Sequence, residues 1–403
     1  MAKDPICGME VSETTPLKAR MPDGKTYFFC SAHCLNKFLE ENKTAVRPEI
    51  SSVAESGAHC PSCNVSSAGM RFYQNKTFII AAILAGLSLL SFALPFLAPF
   101  RQALWLYTRK IWWAVVLGLL IGGVIDYLVP QEYIARILAR PRKRTIFYSV
   151  ILGFLMSACS HGILAISVAL YKKGAPPSSV VSFLLASPWA NMTMTFMLVG
   201  FFGLKAFYII ISAIIIALVT GIIFQVLEKK DLVEKNPNAA ALPDDNFSII
   251  KDASARLKNY SFTPQNLNLA VKGILSGAVS LGDMVLWWIL LGIGISSLLG
   301  AYVPAHIFHR YLSPTVGGLL LTLLIATIIE VCSEGTAPIA FEIYRQTRAL
   351  GNSFVFLMAG VATDYTEIGI LWTNIGRRTA LWMTAITLPQ IIFLGIIANI
   401  IFR

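Results

Sequence analysis

Two strings set inside long apolar runs carry the residue types that could do chemistry: "ACSHG", residues 158–162, and "VCSEG", residues 331–335. Each places a thiol, a hydroxyl, an ionisable side chain and a glycine in succession. Thiols are soft donors that prefer soft acceptors such as Cu(I), Zn(II) or trivalent arsenic, so Cys159 and Cys332 could together hold a thiophilic metal or metalloid and still release it. Ser160 and Ser333 stand beside them, at sites where Ser and Gly let a membrane helix break and expose backbone groups to a cavity. His161, Glu330, Glu334 and Asp364 are ionisable groups within apolar stretches, and each costs about 2–3 kcal/mol or more if charged in lipid. They are therefore expected to face a protein-lined cavity or one another. Glu330 and Glu334, four residues apart, would share a face of a continuous helix, and crowded carboxylates of this kind can hold a proton for coupled transport. Asn191, in "ASPWANMT", supplies a side-chain amide downstream of a proline. The plainer alternatives are that the cysteines are small packed residues and the carboxyls structural hydrogen-bonding partners.

The candidate residues recur at a nearly constant offset of 173 to 175 positions. Trp112 and Trp113 fall on Trp287 and Trp288, and Pro130 on Pro304. Cys159, Ser160, Gly162 and Tyr171 fall on Cys332, Ser333, Gly335 and Tyr344, while Phe183, Ala186 and Asn191 fall on Phe356, Ala359 and Asp364. A duplication is the economical reading. Crossing of the membrane by residues 267–283 would give two five-span units of inverted orientation, and the alternative is two parallel four-span units. Loop charges favour inversion, the usual frame for alternating access around a site at the midplane.

The elements that must position these residues are membrane helices. The 403-residue chain is 56% hydrophobic and only 14% charged, whereas soluble domains carry about 25% charged residues. Runs at 77–100, 111–130 and 207–227 each reach the roughly 20 residues that cross a bilayer. Further runs lie at 145–171, 178–204, 284–304, 315–343, 350–372 and 379–402, so about nine crossings are expected, with a tenth at 267–283. The expected fold is thus an all-α polytopic membrane protein of two repeated halves with broken helices. The formal charge of +11 is topological rather than a nucleic-acid signal, because Lys and Arg collect in cytoplasmic loops. "RILARPRKR", residues 136–144, is the densest such loop. It places the N-terminus in the cytoplasm, beneath a bacterial or archaeal plasma membrane.

Five segments are expected: a small cysteine-bearing module at 1–45, a linker at 46–76, a first membrane half at 77–227, a charged loop at 228–266 and a second half at 267–403. In reducing cytoplasm Cys7, Cys30 and Cys34 read as metal ligands rather than disulfides, with His33 as an available fourth donor. "HCPSC" offers His59, Cys60 and Cys63 as a second site or a redox pair. A soft ion such as zinc or copper is the expected occupant of the module, and no organic cofactor is expected.

"DPICGM" followed by "YFFCSAHC" resembles the YHS or TRASH-type metal-binding module. From residue 77 onward the chain resembles the predicted permease family that includes bacterial organoarsenical efflux permeases. The match rests on Cys159 to Gly162, Lys173-Gly174, Phe183-Leu184, Pro188 and Asn191. This resemblance implies a polytopic transporter exporting a soft, trivalent or methylated metalloid. His161 stands where many members carry a second cysteine, and "EVCSEG" departs from the family's plainer apolar pattern. With no GxxxxGK[ST] string for ATP, the expectation is a secondary efflux permease and not an enzyme, driven by proton exchange or the substrate's own gradient. Its partners would be the bilayer and the substrate, with no nucleic acid, as a monomer or homodimer. Transport of a small sulfur-containing or anionic solute, a membrane-anchored metal sensor, and a thiol oxidoreductase are the competing readings.

Overall fold

The computed structural model describes residues 75–128, 138, 144–156, 160–238, 264–329 and 332–402, together with short segments within residues 2–38. The chain divides into Met1–Asn64 and Val65–Arg403. In the first unit, β1 (Ala2–Lys3) pairs antiparallel with β2 (Glu10–Val11), and β3 (Lys18–Arg20) with β4 (Thr26–Phe28), Ala19 lying opposite Tyr27. The buried Phe38 ring lies 5.2 Å from that of Tyr27, centroid to centroid. All of Cys7, Cys30, His33, Cys34, His59, Cys60 and Cys63 lie outside the described residues.

The second unit is helical. In chain order it contains α1 (Lys76–Ala93), α2 (Ala98–Leu128), α3 (Thr145–Leu155), α4 (Ser160–Lys172), α5 (Pro177–Ala190), α6 (Met192–Phe202) and α7 (Ala206–Lys229). These are followed by α8 (Pro264–Tyr302), α9 (Ala305–Tyr311), α10 (Val316–Ile329), α11 (Ser333–Thr347), α12 (Leu350–Ala362), α13 (Tyr365–Asn374) and α14 (Arg377–Ile401). Every residue of α5 and of α12 is buried. Both are surrounded by neighbours, α5 by α3, α4 and α7 and α12 by α10, α11 and α14. Large apolar side chains such as Leu89 and Phe92 on α1 are exposed, as surfaces that face acyl chains must be.

Among the described residues six helical stretches are long and apolar enough to cross a membrane, at Lys76–Ala93, Pro95–Ile125, Met192–Lys229, Ala270–Tyr302, Leu350–Asn374 and Arg377–Ile401. The pair Ala305–Tyr311 and Val316–Ile329, bent by 109°, makes a seventh if counted as one. This corrects the nine or ten crossings expected from hydropathy. The run at 145–171 is divided into α3 and α4, of 11 and 13 residues, and each is too short to span about 30 Å of hydrocarbon alone. Residues 267–283 are not a separate span either, because they continue without interruption into 284–302 as the 39-residue α8.

The two short helices enter and return at one end of the bundle. A Cβ on Gly221, near the end of α7, would press on Ile146 at the start of α3, and the Asn236 amide, just past α7, donates to the carbonyls of Tyr171 (2.6 Å) and Ala175 (2.7 Å) after α4. At the same end the Glu228 carboxylate accepts from the Ser178 N–H (2.7 Å) and hydroxyl (3.1 Å), capping α5. Glu234 accepts from the N–H groups of Arg378 (2.8 Å) and Thr379 (2.9 Å) and from the Thr379 hydroxyl (2.9 Å). Gly376 offers no capping side chain to α14, so the segment after α7 supplies the cap from a distance.

Partial burial would raise the Glu234 carboxyl, but hydrogen bonds from the backbone N–H groups of Arg378 and Thr379 and the Thr379 hydroxyl outweigh it and hold it below its ordinary value. A depressed carboxyl contributes stability above its unfolded value of about 4.3, lost as pH falls through the folded one. Glu234→Ala is therefore expected to cost about 1 kcal/mol at neutral pH, as loss of a helix cap does. In thermal unfolding of the purified protein, the gap between wild type and variant should close on acidification below the ordinary carboxylate range.

Candidate functional site

Several helices end or begin at interior breaks. α5 stops at Ala190 and α6 starts at Met192, with Asn191 between them as the cap. Its side-chain oxygen accepts from the Met194 N–H at 2.7 Å, satisfying one of the donors that a helix start leaves open. Asp364 plays the same part for α13, accepting from the Glu367 N–H at 2.9 Å and from the Thr366 hydroxyl. Cys332 sits at the cap position of α11, its carbonyl accepting from Gly335 and Thr336. Pro188 and Pro338 lie inside α5 and α11; each lacks an N–H, so each frees one carbonyl of the preceding turn near a break.

The breaks of α5–α6 and α10–α11 meet at Glu334. Its Oε2 accepts from the Cys332 Sγ–H at 2.7 Å and the Ser333 hydroxyl at 2.9 Å, while Oε1 accepts from the Asn191 amide at 3.3 Å. All four residues are buried, Glu334 being 1% exposed. An ionised carboxylate only accepts hydrogen bonds, so three donors from two helix breaks are matched to it. Its place in the first turn of α11 is where a negative charge is favoured by the helix dipole. Chemically the cluster sets the Cys332 thiol against a carboxylate at a buried helix break, a soft donor beside a group able to accept its proton.

The structure thus brings together Asn191, Cys332, Ser333 and Glu334. Asp364 is buried at its own break, and α13 packs against α4, the helix that begins with Ser160 and His161. The Ser160 and His161 side chains, Cys159 and Glu330 lie outside the described residues. The continuous helix on which Glu330 and Glu334 would share a face is interrupted before α11, where Cys332 takes a non-helical backbone conformation. The interruption at Cys332, which lets Glu334 turn back onto the thiol, removes that periodicity.

Another buried carboxylate was not anticipated from the sequence. Glu342, two turns further along α11, is fully buried and accepts from Arg345 Nε (2.7 Å) and Nη2 (2.8 Å), from Gln346 (2.7 Å) and from the Tyr107 hydroxyl on α2. Gly300 on α8 leaves room for it, since a Cβ there would meet Glu342 and Arg345. Its hydrogen-bonding capacity is occupied by these partners, which makes it a brace between α2 and α11. A Glu three residues before an Arg in an apolar run was the only signal available beforehand.

The model of the predicted permease family matches residues 100–400, and that of the YHS domain matches residues 2–44. UPF0718 protein YcgR of Bacillus subtilis is 25% identical over 267 residues, covering 66% of this chain and 84% of its own length. UPF0718 protein MJ0584 of Methanocaldococcus jannaschii is 22% identical over 340 residues, covering 72% of this chain and 92% of its own. No solved structure matches the chain.

Proposed function

Because this multi-pass membrane protein belongs to the predicted permease family, we propose that it is a secondary efflux carrier for a thiophilic metal or metalloid species, trivalent organoarsenicals included, working by alternating access. The observation that carries this reading is the convergence of the Cys332 thiol, the Ser333 hydroxyl and the Asn191 amide on Glu334 at the meeting of two broken helices. Cys159, Ser160, His161, Glu330 and Asp364 complete the proposed substrate path. Proton exchange is the proposed energy source. An anionic solute is disfavoured, because the helix start that would receive it is already occupied by a carboxylate.

Two inverted halves are the proposed frame, α2–α7 and α8–α14. Order and contacts support it. Each half runs from a long helix through a short broken pair and a second broken pair to a long final helix. In the first, Glu228 near the end of α7 caps the start of α5; in the second, Asn399 near the end of α14 accepts from the Gly351 N–H at the start of α12 (2.7 Å). Glu234 joins the end of α7 to the start of α14, so the face on which the first half finishes is the face on which the last helix of the second begins. The sequence argument tied inversion to five spans per half, whereas a short broken pair that returns gives it with fewer.

The YHS domain at 2–44 is proposed to lie in the cytoplasm, to hold a soft ion through Cys7, Cys30 and Cys34 with His33 as a fourth donor, and to deliver or meter substrate; His59, Cys60 and Cys63 of the following linker are proposed as a second set.

The test is flux of trivalent methylarsenite and of Ag(I) into proteoliposomes. With Cys159 and Cys332 both changed to Ser, flux is expected to fall at least about tenfold, the consequence of losing about 1.4 kcal/mol of binding. Unchanged flux of both species in the folded double variant would remove sulfur from the mechanism.

A further inference from the structure

We infer that Tyr171 and Tyr344 are the two gates of this carrier, one serving each membrane face, an assignment that rests on the transport reading above. Tyr171 lies in the last turn of α4 and is buried, and its hydroxyl donates to the Ile375 carbonyl at 3.4 Å, in the turn between α13 and α14. Tyr344 lies in the last turn of α11, and its hydroxyl accepts from Lys205 Nζ at 2.6 Å, in the turn between α6 and α7. The Lys205 ammonium also sits 5.1 Å from the centre of the Tyr344 ring and 5.5 Å from that of Phe402.

The two bonds have the same design. Each joins the outer end of a helix that begins at an interior break to the turn between the third and fourth elements of the other half. The tyrosines are 173 positions apart, the same offset as the two cysteines. α11 starts at the Glu334 cluster and ends at Tyr344; α4 starts at Ser160 and ends at Tyr171. Releasing either tyrosine hydroxyl removes one tie at the outer end of its helix, beside the Asn236 bonds that hold α4 and the Glu342 brace that holds α11, and so loosens that face alone. Tyr171 belongs to the face that carries Asn236 and Glu234. Tyr344 belongs to the face that carries Phe402, at the far end of α14.

The gates differ in strength. The Lys205 bond is short and charge-assisted and is reinforced by two aromatic faces, whereas the Tyr171 bond is long and neutral. The Tyr344 hydroxyl is therefore the more firmly held of the two, while the Asn236 amide adds bonds to the Tyr171 and Ala175 carbonyls at the other gate.

The native thiol of Cys332 reports this without any substrate. Vesicles of defined orientation are treated with a membrane-impermeant maleimide, and modification of the peptide containing Cys332 is followed by mass spectrometry. Tyr344→Phe is expected to raise labelling from the opposite face about tenfold, and Tyr171→Phe to raise it from its own face about threefold, matching loss of a charge-assisted and a neutral hydrogen bond. Lys205→Met, which leaves both tyrosines in place, is expected to act at the same face as Tyr344→Phe. Folded variants that leave both rates unchanged, or raise both faces alike, overturn the assignment. The flux assay separates the two claims: face-specific labelling without any flux keeps the gates and removes the substrate class, and flux without face-specific labelling does the reverse.

Discussion

Alanine at Gly292 is expected to lower both thermal stability and flux, the latter by more than about tenfold, as a loss of 1.4 kcal/mol or more in the competent state requires. Gly292 on α8 lies against the start of α11, where an added Cβ would overlap the Gly335 carbonyl oxygen and crowd its Cα. The obstruction is backbone, with no rotamer to turn aside, so α11 must shift. Close backbone approach through small residues is how membrane helices gain packing energy, and overpacking such a contact costs about 1–3 kcal/mol. Because Gly335 directly follows Glu334, the shift reaches the carboxylate that Cys332, Ser333 and Asn191 share. Gly86 on α1 has open space where its Cβ would stand, so Gly86→Ala serves as the matched control and should leave melting and flux unchanged. Full flux in a folded Gly292→Ala protein would show that the start of α11 does not set the site.

Glu334→Ala should have the larger effect on transport, roughly a hundredfold loss, equivalent to about 2.7 kcal/mol. The substitution removes the acceptor of three buried donors at once. A buried donor left without a partner costs about 1–3 kcal/mol, so the Asn191 amide and the Ser333 hydroxyl must turn elsewhere and loosen the contact between the two breaks. Glu334→Gln separates charge from shape. It keeps the volume and one acceptor oxygen but cannot take the thiol proton and turns an N–H group on one of the three donors, so it should melt between wild type and Glu334→Ala while flux still falls. Glutamine flux equal to wild type would mean that the carboxylate is only a structural bridge.

The residues of this cluster were legible because polar groups stand out against apolar runs, and because one helical string repeats the other at a fixed offset. Cys332, Glu334 and Asn191 were each identified this way. Their mutual contact was not, since Asn191 and Glu334 are 143 positions apart. Glu342 escaped notice for a related reason: "FEIYRQT" reads as the polar margin of a span, and Tyr107, whose hydroxyl ties it to α2, is 235 positions away. The two tyrosines appeared in the sequence only as positions 173 apart, with no hint that each reaches a distant turn.

Composition and apolar run length alone determined that this chain is a polytopic helical membrane protein, because burying about 20 consecutive residues in hydrocarbon leaves a helix as the only way to satisfy their backbone. The same patterns located the breaks, since Ser, Gly, Pro and ionisable residues are poorly tolerated by an unbroken lipid-facing helix. Only the tertiary structure decided which runs cross and which return, because hydropathy measures how well a segment dissolves in the bilayer and is blind to its direction. It also decided which break faces which: the Asn191 amide, the Cys332 thiol and the Glu334 carboxylate become one site through the packing of α6 against α11, and contacts made at such separation in the chain leave no local trace in its order of residues.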